Sequence, residues 1–154
     1  MTGQKLVDEL DRAGVQYELL PHSRTESAAA EAEALSVDPR DVAKTLVLTT
    51  PEGFVRAVLP ATERLDLRKV RELLGTKEIE LATEEQMAEA YPEFEVGAVP
   101  PIAGSRGDRV LVDLGLGKRE WVVFDAGGHE QSVRVRSDDL VRIAGAQLAD
   151  LCRD

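Results

Sequence analysis

Val42-Ala43-Lys44-Thr45-Leu46-Val47-Leu48-Thr49, then Thr50-Pro51-Glu52-Gly53, then Phe54-Val55-Arg56-Ala57-Val58-Leu59, is the stretch from which the fold is read. The first segment is nearly all apolar and rich in branched residues, the pattern of a strand covered on both faces. Thr50 to Gly53 is a turn signal and the third segment returns, so the two runs predict a hairpin.

On the N-terminal side, Leu6, Val7, Leu10 and Ala13 recur at helical spacing until Gly14 stops them. Val15 to Leu20 reads as a short strand ended by Pro21. Glu26 to Leu35, rich in Ala and Glu, predicts a helix with Ser27 or Thr25 as its cap. On the C-terminal side, Asp66 caps a helix through Leu74 that Gly75 closes. Glu78 to Leu81 is a short strand, and Thr83 with Gln86 has the form of a capping box opening a helix to Ala90. Prolines and glycines fill Tyr91 to Gly107, a long loop of the kind that usually carries function. Arg109 to Asp113, Trp121 to Phe124 and Ser132 to Val135 are strands. Gly115-Leu116-Gly117, read as a hairpin turn, and Ala126-Gly127-Gly128 separate them. Ser137 or Asp138 caps a last helix. Interleaved helices with dominant tight hairpins predict an α/β fold with a mixed, largely antiparallel sheet.

A chain of 154 residues, 43% hydrophobic and 31% charged, fits one globular domain over 1–154 with a core of its own. Cys152 is the one cysteine, which excludes a disulfide framework and reads as an inert tail residue. The charged, amphipathic start lacks the apolar run of a signal peptide, and no stretch approaches a membrane span. These point to a cytoplasmic protein without a membrane partner. The net charge of −10 opposes nonspecific coating of DNA or RNA. Cations do gather between Arg56 and Lys77, either as a solvated helix face or as a local basic surface.

No G-x-S-x-G elbow, P-loop, H-E-x-x-H or C-x-x-C occurs. His22 and His129 are far apart in sequence, so no metal site is expected, and no cofactor. Lys44 is the oddest placement, a charge in an apolar strand. Either its stem packs while its head reaches water, or the ammonium sits at a pocket edge to bind a phosphate or polarise an ester. Gly97-Ala98-Val99-Pro100-Pro101 is a stiff loop whose glycine lets backbone approach a ligand. In Asp125-Ala126-Gly127-Gly128-His129, the glycines could present amides and His129 could act as acid, base or donor, or simply face solvent.

Ordered along the chain, several stretches carry a family resemblance. They are His22-Ser23 with the following Ala/Glu helix, Val42 to Leu48, Ala57-Val58-Leu59-Pro60, Leu65 to Val70, Glu95 to Pro101 and Ala126-Gly127-Gly128-His129. From about His22 to Leu148 the chain resembles the YbaK/prolyl-tRNA-synthetase-associated (aminoacyl-tRNA deacylase) family. The resemblance implies a sheet curled into a partial barrel with flanking helices. It also implies a free-standing hydrolase that removes a wrong amino acid from tRNA, with mischarged aminoacyl-tRNA as partner and an aminoacyl-tRNA synthetase as a second candidate. Lys44 would be the principal functional residue, with the Gly97 backbone bordering the site and His129 beside it. His22, Ser27, Thr45, Ala98, Pro100, Gly127 and Gly128 would line the substrate, and Arg68 and Lys69 would meet tRNA. An activated ester needs water positioning and oxyanion stabilisation more than a strong nucleophile, which accounts for the missing triad. Many relatives have Ser-Pro where this chain has Val99-Pro100, and a basic glycine turn where it has Gly127-Gly128-His129-Glu130, so substrate choice does not carry over. The alternatives are a catalytically silent module that binds a tRNA end, a small ligand or a protein, and a hydrolase of a non-tRNA ester or amide.

Overall fold

The computed structural model of the chain describes residues 4–102 and 108–154. The part of the long loop at 103–107 therefore lies outside the described residues.

The quoted stretch forms the expected hairpin: β2 (Ala43–Thr50) and β3 (Gly53–Pro60) pair antiparallel from Ala43↔Pro60 to Thr50↔Gly53. Because side chains alternate along a strand, this hairpin supplies two cores at once. Ala43, Val47 and Val58 enter the main core, with Phe124, Val133 and Val135. Leu48, Val55, Ala57 and Leu59 enter a second core with Leu65, Val70 and Leu151. Each fully buried side chain of this size contributes roughly 1.5–3 kcal/mol.

Around the hairpin lie α1 (Gln4–Ala13), β1 (Tyr17–Pro21), α2 (Ala28–Leu35), α3 (Leu67–Leu74), β4 (Glu80–Leu81) and α4 (Glu84–Ala90). They are followed by β5 (Arg109–Asp113), α5 (Leu114–Gly117), β6 (Trp121–Gly128), β7 (Gln131–Arg136), α6 (Ser137–Ala144) and β8 (Gln147–Ala149). The capping signals act as expected. Ser27 accepts from Ala30 N–H, Asp66 from Arg68 N–H, and Thr83 with Gln86 forms the full capping box. Gly75 at φ 69° closes α3.

One sheet has the order β1-β7-β6 and the other β4-β2-β3-β5-β8. Among the described residues they meet at a single parallel bridge, Val42↔Val123. The mixed α/β sheet is as expected, but the expected partial barrel is an open pair of sheets joined at one corner. Two local readings are corrected. Gly115-Leu116-Gly117 is no hairpin turn: it lies in the short α5, capped by Asp113, because β5 belongs to one sheet and β6 to the other. Neither Ser137 nor Asp138 caps α6. Its cap position is Arg136, without a side-chain bond, and Ser137 Oγ donates to Arg119 O instead. The short edge strand β8 had no signal of its own.

Candidate functional site at the turn between β6 and β7

Three segments are stitched together by backbone at this turn. After β1 the chain is fixed by His22 N–H to Glu130 O (3.1 Å) and Thr25 N–H to His129 O (3.0 Å). From the long loop, Glu95 N–H bonds Gly127 O (2.9 Å) and Ala98 N–H bonds Glu95 O (3.0 Å). The loop and turn glycines are used for their backbone freedom: Gly97 has φ 84° and Gly127 φ 93°, in the left-handed region.

His129 is 4% exposed. Its Nε2 lies 3.0 Å from Val96 O. A carbonyl can only accept, so Nε2 carries a proton, and in the neutral form of the ring the lone pair is on Nδ1. That atom has no hydrogen-bond partner and lies 3.9 Å from Asp125 Oδ2. Gly97 passes against the same ring: a Cβ there would stand 3.7 Å from Cε1 and from Nε2.

Beside His129 runs a short proton chain. His22 Nδ1 lies 2.7 Å from Ser23 O, and His22 Nε2 lies 2.8 Å from Ser132 Oγ, which also bonds the Glu31 carboxyl group. Nδ1 must donate to its carbonyl. The serine owns one proton, so one further proton is shared along His22, Ser132 and Glu31. It rests on the imidazole with Glu31 ionised, or on Glu31 with a neutral ring. Glu31 is 1% exposed, and burial, the dominant influence, raises its pKa, while Ser132 and both histidines oppose the rise. Among the described residues, donor atoms of His22, Glu31 and Asp125 come within 4.8 Å of one another, so these are the side chains that could face a cation.

Asp125 is pushed up to about 8, first by burial and then by repulsion from Glu31, Glu95 and Glu26. The folded protein thus keeps a proton that the unfolded chain has released above about pH 4. Stability should therefore fall as pH rises from about 4 to about 8 and then level off. Asp125→Asn is expected to raise the thermal midpoint at pH 8 and leave it nearly unchanged at pH 4. Equal shifts at both values would refute this assignment.

Of the residues singled out in the sequence, His22, Gly97, Ala98, Gly127, Gly128 and His129 come together here. Ser27, exposed, spends its hydroxyl on the α2 cap. Pro100 is buried, and its carbonyl accepts from Arg56 Nη1 at 2.8 Å. Thr45, half-buried and opposite Val58, is on the main-core face of β2. Lys44 is not brought to His129. It is paired with Leu59 on the other face, where the titratable groups that act on it are Cys152, Arg64 and Glu63. Half-buried there, it makes no ion pair among the described residues, and burial, the leading cause, lowers its pKa. Lys69 is tied down by Asp150 (2.9 Å), Asp154 (2.9 Å) and Cys152 O (2.6 Å), whereas the neighbouring Arg68 is exposed. Cys152 is no inert tail: at 8% exposed it belongs to the second core. Glu31 and Ser132 carried no sequence signal of a site, and Asp125 opened the glycine-turn stretch without a role of its own. A cavity of about 500 Å³ beside Phe54, Leu74 and Arg109 contains none of these side chains.

Two sheets joined at one corner, with flanking helices, thus frame a buried polar cluster at a glycine turn. The aminoacyl-tRNA editing domain model matches residues 22–143, and the chain belongs to that family. It is 29% identical over 111 residues to a proline–tRNA ligase of Thermosipho africanus, covering 72% of this chain and 19% of the relative. The chain thus spans about a fifth of the ligases it matches. The Multifunctional Ser/Thr-tRNA deacylase ProXp-y of Escherichia coli is 25% identical over 158 residues, covering 99% of this chain and 94% of the relative. A crystal structure provisionally named a trans-editing enzyme for prolyl tRNA synthetase superposes with a TM-score of 0.88 at 26% identity, covering 99% of this chain and 98% of that one.

Proposed function

We propose that the chain is an aminoacyl-tRNA deacylase acting in trans: it hydrolyses the ester that joins a wrong amino acid to tRNA. The observation that carries this reading is the buried His129 held against the backbone of Gly97, within the residues that the editing-domain model matches. The near full-length likeness to a Ser/Thr-tRNA deacylase supports it. In the reaction, water adds to the ester carbonyl, the bond to the ribose oxygen breaks, and that oxygen leaves as a hydroxyl. The Gly97 N–H, given no acceptor among the described residues, is placed to stabilise the developing oxyanion. His129 fixes the aminoacyl end, and His22, Thr45, Ala98, Pro100, Gly127 and Gly128 shape the surrounding pocket, with Ser27 holding the helix over it. Lys44 takes the phosphate of the tRNA end, since a half-buried ammonium without an ion pair suits an incoming anion.

A panel of mischarged tRNAs tests the reading. At least one pair should lose its amino acid faster than buffer alone, and no acceleration on any pair would defeat it. Lys44→Ala is expected to lower kcat/KM about tenfold or more, chiefly through KM, with the fold intact. Full activity in that variant would remove Lys44 from the site. Arg68 is the proposed tRNA contact on α3. Charge reversal there should reduce the salt slope of tRNA binding by about one. Reversal at Lys69 should instead lower the thermal midpoint, because its ammonium holds the chain's last residues. An unchanged slope in the Arg68 variant would make α3 a solvated face.

A further inference from the structure

The geometry points to a primary-ammonium subsite formed by Asp125, Glu31 and the Nδ1 of His129, and we propose that it receives the free α-amino group of the aminoacyl ester. The inference rests on the deacylase reading and names the part of the substrate that this corner of the site recognises.

The side chains here present acceptors, Asp125 fully so once the proton it holds is released as a cation arrives. With Nε2 donating to Val96 O at 3.0 Å, the neutral ring of His129 has its lone pair on Nδ1. It is buried and has no hydrogen-bond partner, as does Asp125 Oδ1. The Glu31 carboxyl lies within 4.8 Å of the Asp125 carboxyl. An unmet buried acceptor is costly, and one donor-rich group would satisfy several at once. A primary ammonium carries three N–H donors and no acceptor. The surrounding charge agrees: Glu26, Glu31, Glu95 and Asp125 face the two histidines and Arg24, which is already paired with Glu26 and Glu95.

Ligand availability separates an ammonium from a metal ion. Both ring nitrogens of His22 are already engaged, by Ser23 O and Ser132 Oγ. His22 is therefore no open ligand. It sets the charge of Glu31 through the serine, which lets Glu31 become an anion when a cation arrives.

The test uses non-hydrolysable 3′-aminoacylamino-adenosines carrying alanine, serine or proline, each with its N-acetyl twin. Binding to the full chain is measured by calorimetry. At least one free amine should bind 30-fold or more tightly than its twin. Asp125→Asn, close in shape and charge-neutral, should narrow that gap to under threefold. Equal binding of the twins, or no binding of any free amine, would overturn the subsite, and both results are read on the wild-type chain alone. So would stoichiometric binding of Zn²⁺ or Mn²⁺ that is lost in Asp125→Asn while the amine preference persists, since the cluster would then be a metal site. A clear amine preference with no turnover on any mischarged tRNA would keep the subsite and defeat the deacylase reading, so the two failures are distinct.

Discussion

Arg56→Met is expected to destabilise the protein by about 3–5 kcal/mol, the cost of breaking a buried charge pair by removing one partner. Arg56 lies inside β3, 2% exposed. Its Nη1 donates to Pro100 O at 2.8 Å, its Nε is 3.5 Å from Asp108 Oδ2, and its guanidinium stacks over the Tyr91 ring at 4.9 Å. Tyr91 in turn bonds Asp108 through its hydroxyl. Methionine fills the space of the aliphatic stem but takes the guanidinium away from the buried Asp108 carboxylate and the Pro100 carbonyl. Urea unfolding measures the loss. A second replacement, Asp108→Leu, should recover part of it, because the stranded charge goes too. A change under 1 kcal/mol in Arg56→Met would mean that the pair contributes little.

His129→Ala carries the second large effect, a fall of about 100-fold or more in kcat/KM on whichever mischarged tRNA the protein hydrolyses. The alanine also removes a buried ring and its bond to Val96 O, so lowered stability would accompany the loss. His129→Gln separates the two: its amide can still donate to Val96 O and should restore much of the midpoint, while the imidazole lone pair facing Asp125 is gone. Thermal unfolding and single-turnover deacylation, measured side by side, check this. A glutamine variant with wild-type kcat/KM would exclude the imidazole from the reaction.

Lys44 and Arg56 show how far the sequence could be read. Each is a charge inside an apolar strand, and the same argument applies to both. The sequence reading drew attention to Lys44 and counted Arg56 among surface cations. The structure gives Arg56 the deeper burial, because the strand alternation aims it at the main core and Lys44 at the opposite face. Facing is fixed by register, and register follows from pairing partners that lie far off in sequence. The hairpin from Ala43 to Pro60 was legible because turn and strand signals there are local. The crossover at Gly115 to Gly117 was not, since glycines there suit a tight turn and a short helix alike.

The pocket divides in the same way. Gly97, Gly127 and His129 stood out as residues whose types are unusual for their place. Glu31 did not, since a glutamate in an Ala/Glu helix is ordinary until another element buries it. Ser132 and Asp125 alternate with apolar strand residues, as solvent-facing residues would. Only the packing of α2 over that face, with Ala32 against Val42 and Val123, makes them interior. The distance between His22 and His129 in sequence likewise hid that both act on Glu31.

The loop beside His129 is fastened through main-chain atoms: Glu95 N–H to Gly127 O, Ala98 N–H to Glu95 O, and Pro100 O to the Arg56 guanidinium. None of these attachments reads the identity of the loop's side chains. Substitution at the exposed Val96 can therefore change the surface offered to a substrate while the frame stays put, as long as glycine keeps the left-handed corner, whereas Val99 and Ile102 are held by the main core. Such an arrangement leaves the rim of the loop open to change without an unstable intermediate, whereas change deeper along it would first have to pass through lost core packing.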